Sequence, residues 1–228
     1  MKIFKGAVMI FWLAGAFVFG LFIPYMARRF AKFMPTTFAG AIVELLRKEK
    51  KLSSYHKTKQ YKKLAWRSLM TGLLTVGLTA LILAEFTDAG LIIVFAWTLL
   101  LLAEIDVRMF VLPDILTVPL LLVGIAAAYV GESVVSIDES VYGALVGYFF
   151  PVLVSLLIVW YKKDAFGGGD IKLLAAQGAW LGVEGLLYVI TIAAILGLVW
   201  AMIKKQKALA FGPMLAIAGI IVVLIEGY

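Results

Sequence analysis

Between two long apolar runs stands the stretch DAFGGGDIKLL, Asp164 to Leu174. In a soluble chain such a glycine run would read as a linker. Here 64% of 228 residues are apolar, 15% are charged and the mean hydropathy is +1.04, far above the range of a soluble domain. The chain is therefore expected to be all-α, a polytopic bundle of membrane helices. It contains no cysteine, which excludes disulfides and thiolate zinc sites. His56, the only histidine, reads as an exposed residue in a basic loop, and leaves little for a histidine metal site or a Ser-His-Asp triad.

Working outward, apolar segments lie near 6–26, 68–85, 90–105, 115–130, 141–161, 171–183, 185–203 and 211–226. They predict eight membrane helices, or seven if the segments between 171 and 203 merge. Several are shorter than the roughly 20 residues that a helix needs to cross the hydrocarbon core. Residues 27–67 form the one sizeable soluble part, giving a division into 1–67, a first helix with a basic loop, and 68–228, a membrane-embedded core. The loop holds 12 of the 21 Lys and Arg, against the acids Glu44 and Glu49. Positive charge accumulates on the cytoplasmic side, so this loop is expected inside.

Eight crossings then fix the side of every later loop. Those expected inside carry Arg108, Lys162, Lys163, Lys172, Lys204, Lys205 and Lys207. Those expected outside carry Glu85, Asp88, Glu132, Asp138, Glu139, Glu184 and Glu226 with no basic residue. Only Lys2 and Lys5 dissent; they make the first segment resemble a signal peptide, but it is long, lacks a small-residue cleavage site and reads as a retained helix. The net charge of +7 thus reflects topology and attraction to anionic membrane lipids, and does not point to nucleic acid.

The same topology places GGGD, Gly167 to Asp170, on the inside, together with LLAEIDVRMFVLPDILTVP, Leu101 to Pro119. Asp106 directly follows an apolar run, so it sits at or just within the membrane boundary, where ionisable groups are costly and mark functional sites. It has no capping role there, since it lies near the C-terminal end of its helix, where the macrodipole opposes a negative charge. Glu104 is similarly placed, and position alone does not choose between them. Asp114, after Pro113, is placed to N-cap the following helix; Asp170 stands equally as an N-cap and as a functional carboxylate. Two carboxyls about 3 Å apart cannot easily both ionise, which leaves one to activate water and the other to polarise a carbonyl. Three glycines before one of them, Gly167, Gly168 and Gly169, remove bulk so that an extended substrate lies close to the main chain; their other reading is a flexible linker.

These segments carry a resemblance. FGGGDIKLLAAQGAWLG, Phe166 to Gly182, resembles the GxGD segment of type IV prepilin peptidases, membrane aspartyl proteases that remove the short basic leader of pilin and pseudopilin precursors. IDVRMFVLPDILTVPLLLVG, Ile105 to Gly124, is similar to that family's other aspartate segment, and AFGPMLAIAG, Ala210 to Gly219, to the stretch that opens its last helix. The resemblance implies Asp106 and Asp170 as the catalytic pair. Gly167 and Gly169 match the fixed glycines of GxGD and Gly168 the variable position. Lys172 would orient the loop or a backbone carbonyl, with Asp114 in support. It further implies prepilins or pseudopilins as partners, the inner membrane as location with the site facing the cytoplasm, and no metal for the peptidase.

Larger members of that family carry two CxxC pairs that hold zinc in the first cytoplasmic loop, and N-methylate the product with S-adenosylmethionine. This chain has no cysteine, so no zinc is expected and methylation is in doubt. Two readings from other classes stand beside the peptidase. One is a small transporter whose Asp106 and Asp170 bind a cation at a helix broken by Gly167–Gly169; no inverted repeat supports it. The other is a catalytically silent assembly component. The sequence assigns no oligomeric state.

Overall fold

A computed structural model describes residues 2–32, 54–86, 89–133, 135–159, 167–204 and 210–225. Seven α-helices and no strand occur among them: α1 Lys2–Lys32, α2 Ser54–Glu85, α3 Gly90–Met109, α4 Asp114–Val130, α5 Ile137–Val159, α6 Gly168–Lys204 and α7 Gly212–Ile225. Five contain stretches long and apolar enough to cross a membrane, and α4 and α7 are shorter apolar helices. The chain is a multi-pass, all-helical membrane protein.

One boundary differs from the sequence expectation. α2 begins at Ser54, within the expected soluble loop; its polar opening SYHKTKQYKKLAWR lacks Gly and Pro and propagates helix into the apolar span. The rest of that loop, 33–53, lies outside the described residues, as do Lys162, Lys163, Lys205 and Lys207. The expected division of 171–203 is present: two helical stretches, numbered together as α6, meet at a kink at Gly182, whose φ of 68° and ψ of −172° leave the helical range. An L side chain is strained at that φ, so glycine marks the break.

The chain divides into two compact units, Met1–Trp97 and Thr98–Tyr228. In the first, α1 and α2 associate through small residues and hydroxyls: Thr71 Oγ1 donates to the Gly20 carbonyl at 2.7 Å and Thr75 Oγ1 to the Ala16 carbonyl at 2.9 Å. Apolar side chains gain little by leaving lipid for a helix neighbour, so close backbone approach and such hydrogen bonds hold membrane helices together. Trp97 stacks on Phe19 with centroids 5.0 Å apart and donates its indole N–H to Thr79 at 3.0 Å.

The second unit is organised around α6. Its first half is buried almost without interruption from Leu173 to Gly182. α5 meets it backbone to backbone at two glycine pairs of i, i+4 spacing, Gly143 with Gly147 and Gly178 with Gly182; a Cβ on Gly143 would collide with the Gly178 carbonyl, and one on Gly178 with the Gly143 carbonyl. Ser140 Oγ seals the contact by donating to the Ala179 carbonyl at 2.6 Å. On another side Trp180 lies over Gly124 of α4 and donates to the Leu120 carbonyl at 2.8 Å. α7 is held by Gln177, whose amide donates to the Leu215 carbonyl at 2.8 Å and packs against Gly219.

Local signals end these helices cleanly. Gly131, at φ 77°, closes α4 with its amide on the Ala128 carbonyl at 3.3 Å, while Glu132 N–H reaches the Ala127 carbonyl at 3.0 Å. α5 opens with a capping box: Ser136 N–H donates to Glu139 Oε2 at 2.9 Å and Glu139 N–H to Ser136 Oγ at 3.3 Å. Gly178→Ala is expected to cost about 1–3 kcal/mol by forcing α5 and α6 apart, whereas Gly77→Ala, where a Cβ meets nothing within 4 Å, should stabilise by about 0.5–1 kcal/mol. Thermal unfolding of the detergent-solubilised variants measures the contrast; equal shifts would contradict the glycine contact.

Candidate active site

The last turn of α3 carries Glu104, Asp106 and Arg108. The two acids have different partners. Glu104 Oε1 accepts from Arg108 Nη2 at 2.8 Å and Nε at 3.1 Å, an i, i+4 pair along α3. Asp106 points elsewhere. It is 4% exposed, and its Oδ2 accepts the main-chain N–H of Gly212, the first residue of α7, at 2.9 Å. The negative charge that α3's C-terminal end would repel is thus met by the positive end of another helix.

After Asp106 the chain turns sharply. Phe110 takes φ 54°, a left-handed conformation costly for a bulky residue, as its N–H closes α3 on the Asp106 carbonyl at 2.8 Å. Leu112 is then buried at 3% exposure, and Pro113, at φ −73° and ψ 131°, opens α4. Pro113 stands as the N-cap, with no side-chain capping bond, and Asp114 is the first helical residue. The expected capping by Asp114 is therefore not what its carboxylate does. Both its oxygens lie 2.6 Å from Lys172 Nζ. Lys172, expected to orient the loop or a backbone carbonyl, here ties the start of α6 to the start of α4. Both side chains are well exposed, so the pair contributes little beyond about 0.2–1 kcal/mol to stability.

α6 begins at Gly168, so the glycine run opens a helix and does not interrupt one. The Gly167 carbonyl accepts the amides of Asp170 at 3.0 Å and Ile171 at 3.3 Å. Asp170 sits inside the first turn and is not the N-cap. Its carboxyl lies over Gly167, where a Cβ would stand 3.1 Å from Oδ2, and the charge of Asp106 acts on it. Half-buried, Asp170 faces the same end of the second unit as Asp106, though 64 positions separate them in the chain.

The three glycines are not equivalent. A Cβ on Gly169 would lie 2.9 Å from Leu112 Cβ and 3.1 Å from its amide nitrogen, whereas one on Gly168 meets nothing within 4 Å. Gly169 makes room for the Leu112 segment of the protein itself, and among the described residues the space above the main chain is open at Gly168. Gly212 was not among the residues the sequence marked for chemistry; its signal was the Phe-Gly-Pro stretch, whose role needed the Asp106 contact to become visible.

No residues among those described form a group of three or more His, Cys, Asp and Glu suited to a metal ion. The chemistry available is that of two carboxyls, one anchored by a main-chain donor and buried, the other half-exposed at a helix start. That is an arrangement for general acid–base work on a polarised carbonyl.

Comparison with known proteins agrees in kind. The type IV leader peptidase family matches residues 93–202, which include Asp106, Asp114, Gly167 to Asp170 and Lys172 but not Gly212. The prepilin leader peptidase/N-methyltransferase of Dichelobacter nodosus is 38% identical over 165 residues, 67% of this chain and 56% of that protein. The protein of the same name from Pectobacterium carotovorum subsp. carotovorum is 42% identical over 142 residues, 57% and 49% of the two chains. That of Escherichia coli (strain K12) is 35% identical over 173 residues, 70% of this chain and 75% of the relative. The chain spans about half the length of the first two relatives. No solved structure matches. With three quarters of the Escherichia coli relative covered and the site segments inside the matched range, the chain belongs to the type IV leader peptidase family.

Proposed function

We propose that this chain is a leader peptidase that cleaves the leader from type IV prepilins or pseudopilins, with Asp106 and Asp170 as its catalytic pair. The observation that supports this is a carboxyl from α3 and one from α6 near enough at one end of the second unit for the charge of Asp106 to act on Asp170, with a main-chain donor fixed on Asp106. In the reaction, one carboxylate takes a proton from water as the water oxygen bonds to the scissile carbonyl carbon. The other carboxyl gives its proton to the carbonyl oxygen. The carbon–nitrogen bond then breaks as the first carboxyl passes its proton to the leaving nitrogen, and the second regains one from a hydroxyl.

The membrane-embedded core, 68–228, would carry this chemistry. Its location would be the cytoplasmic membrane with the site on the inside, supported by the basic loops and by the position of Arg108 and Lys172 on the turns that hold the dyad. The segment above Gly168, where no described residue comes within 4 Å of an added Cβ, is where an extended leader would approach the pair. Lys172 and Asp114 hold that approach open by joining α4 to α6. The transporter reading loses its support: the break in α6 stands at Gly182, far along the helix from Asp170, and Gly168 and Gly169 are helical.

The two carboxyls need no metal for these steps. The relatives' names also include N-methyltransferase; methylation here would require a donor such as S-adenosylmethionine, and no described residue is assigned to one. Mass measurement of the cleaved pilin's amino terminus reports both events, and a product heavier by one methyl group would add the second activity.

Asp106→Asn and Asp170→Asn should each lower cleavage of a co-expressed prepilin by about 10²–10⁴-fold, while the membrane content of the protein is unchanged. Full cleavage by both variants would overturn the assignment. Gly77→Ala, whose Cβ meets nothing within 4 Å among the described residues, should cleave within about twofold of the unaltered chain. Gly169→Ala should lose at least about tenfold, because its Cβ pushes the Leu112 segment away from Asp170; immunoblotting of processed against unprocessed pilin measures both.

A further inference from the structure

α7 opens with Phe211, Gly212 and Pro213. The amides of Met214 and Leu215 both reach the Phe211 carbonyl, at 3.0 and 3.1 Å, and Pro213 has no amide hydrogen. The Gly212 N–H is therefore the donor left over at this helix start, and it goes to Asp106 Oδ2 at 2.9 Å. Only glycine fits: a Cβ at 212 would stand 2.7 Å from Oδ2 and 3.0 Å from Asp106 Cγ. Asp170 is held differently. Its carboxyl accepts no hydrogen bond from any described residue, and it is only half-buried.

α7 is also fixed in place for this contact. Gln177 lies seven positions, or two helical turns, after Asp170, so both fall on one face of α6. It holds the Leu215 carbonyl at 2.8 Å, one turn beyond Gly212. The face of α6 that carries one aspartate thus positions the amide that holds the other.

We propose that the Gly212 main-chain N–H divides the work of the pair: it holds Asp106 as the anion that takes the proton from water, and leaves Asp170 as the group that protonates the carbonyl oxygen. This rests on the peptidase reading above. An N–H at the positive end of a helix favours negative charge on the carboxyl it faces and fixes which oxygen it occupies. Oδ1 of Asp106 then remains for the attacking water. Asp170, with no main-chain donor among the described residues, keeps its proton available for the carbonyl oxygen. After the carbon–nitrogen bond breaks, the proton on Asp106 leaves with the new amine and Asp170 recovers its own, so the starting state returns. Gly212 is on this account a positioning residue, acting through Asp106.

The direct test replaces the residue 212 amide by an ester, with glycolic acid in place of glycine through nonsense suppression, in the full chain. This removes the N–H and leaves the shape. A second ester at Met214 weakens the same helix start without touching Asp106. With a prepilin peptide as probe, the 212 ester should lower kcat roughly 10–100-fold with KM within about twofold. The Met214 ester should stay within about threefold of the unaltered chain in both. Wild-type kcat in the 212 ester, or an equal loss in the Met214 ester, would overturn the division of roles. An unaltered chain that cuts no prepilin, with Asp106→Asn and Asp170→Asn no different, would instead bring down the peptidase reading beneath it.

Discussion

A carboxylate in the last turn of an apolar helix has that helix's own carbonyls against it and little water to offset them. Asp106 is tolerated in that position because another helix starts where it ends, and the first amide of α7 points at its Oδ2. Much of the second unit follows from keeping that contact. α7 must lie close to α3, so its first residue has no side chain; α7 must stay in register with α6, so Gln177 reaches across to Leu215 and Gly219 makes room for it. A buried amide with one oxygen left without a partner, as Gln177 has, is a poor choice for stability alone. It suits a structure whose helices must meet at one relative height.

The glycines of α5 and α6 serve the same end by a different route. Lipid offers as good an environment to Leu and Ile as a neighbouring helix does, so α6 is gripped through contacts that lipid cannot make. These are bare backbone at Gly143 and Gly178, hydroxyl to carbonyl at Ser140, and indole to carbonyl at Trp180. They fix the helix that presents Asp170. The Lys172–Asp114 pair adds a tie at the exposed end, where Coulomb attraction is weak but direction is well defined. Together they hold the two acidic turns at one end of the second unit, with main chain at Gly168 that no described residue covers.

How much of this the sequence showed depends on whether the cause was local. Apolar length and charge asymmetry announced the spans, and Asp106 and Asp170 stood out as acids where acids are expensive. Contacts between distant segments were not legible. Asp114 has the sequence setting of an N-cap, yet Pro113 begins the helix and Lys172, 58 positions away, claims the carboxylate. The glycine run has the composition of a linker or a substrate platform, yet Gly169 is small because Leu112 is against it. The break at Gly182, by contrast, has a local cause and falls where the sequence divided 171–183 from 185–203. Nothing in Glu104 and Asp106 alone tells which is held by Arg108 and which by Gly212; that needs the neighbours.

The central claim is that the carboxyls of Asp106 and Asp170 meet, and the absence of cysteine from the chain makes that claim directly measurable. A chain carrying both Asp106→Cys and Asp170→Cys can be treated in native membranes with a short bifunctional thiol reagent that fluoresces only when it bridges two sulfurs. The account predicts a bridge within the protein for this pair and none for a control that pairs Asp106→Cys with Glu132→Cys, at the far end of α4. Failure of the Asp106 and Asp170 positions to bridge, in a protein that reacts with single-thiol reagents at both, would contradict it.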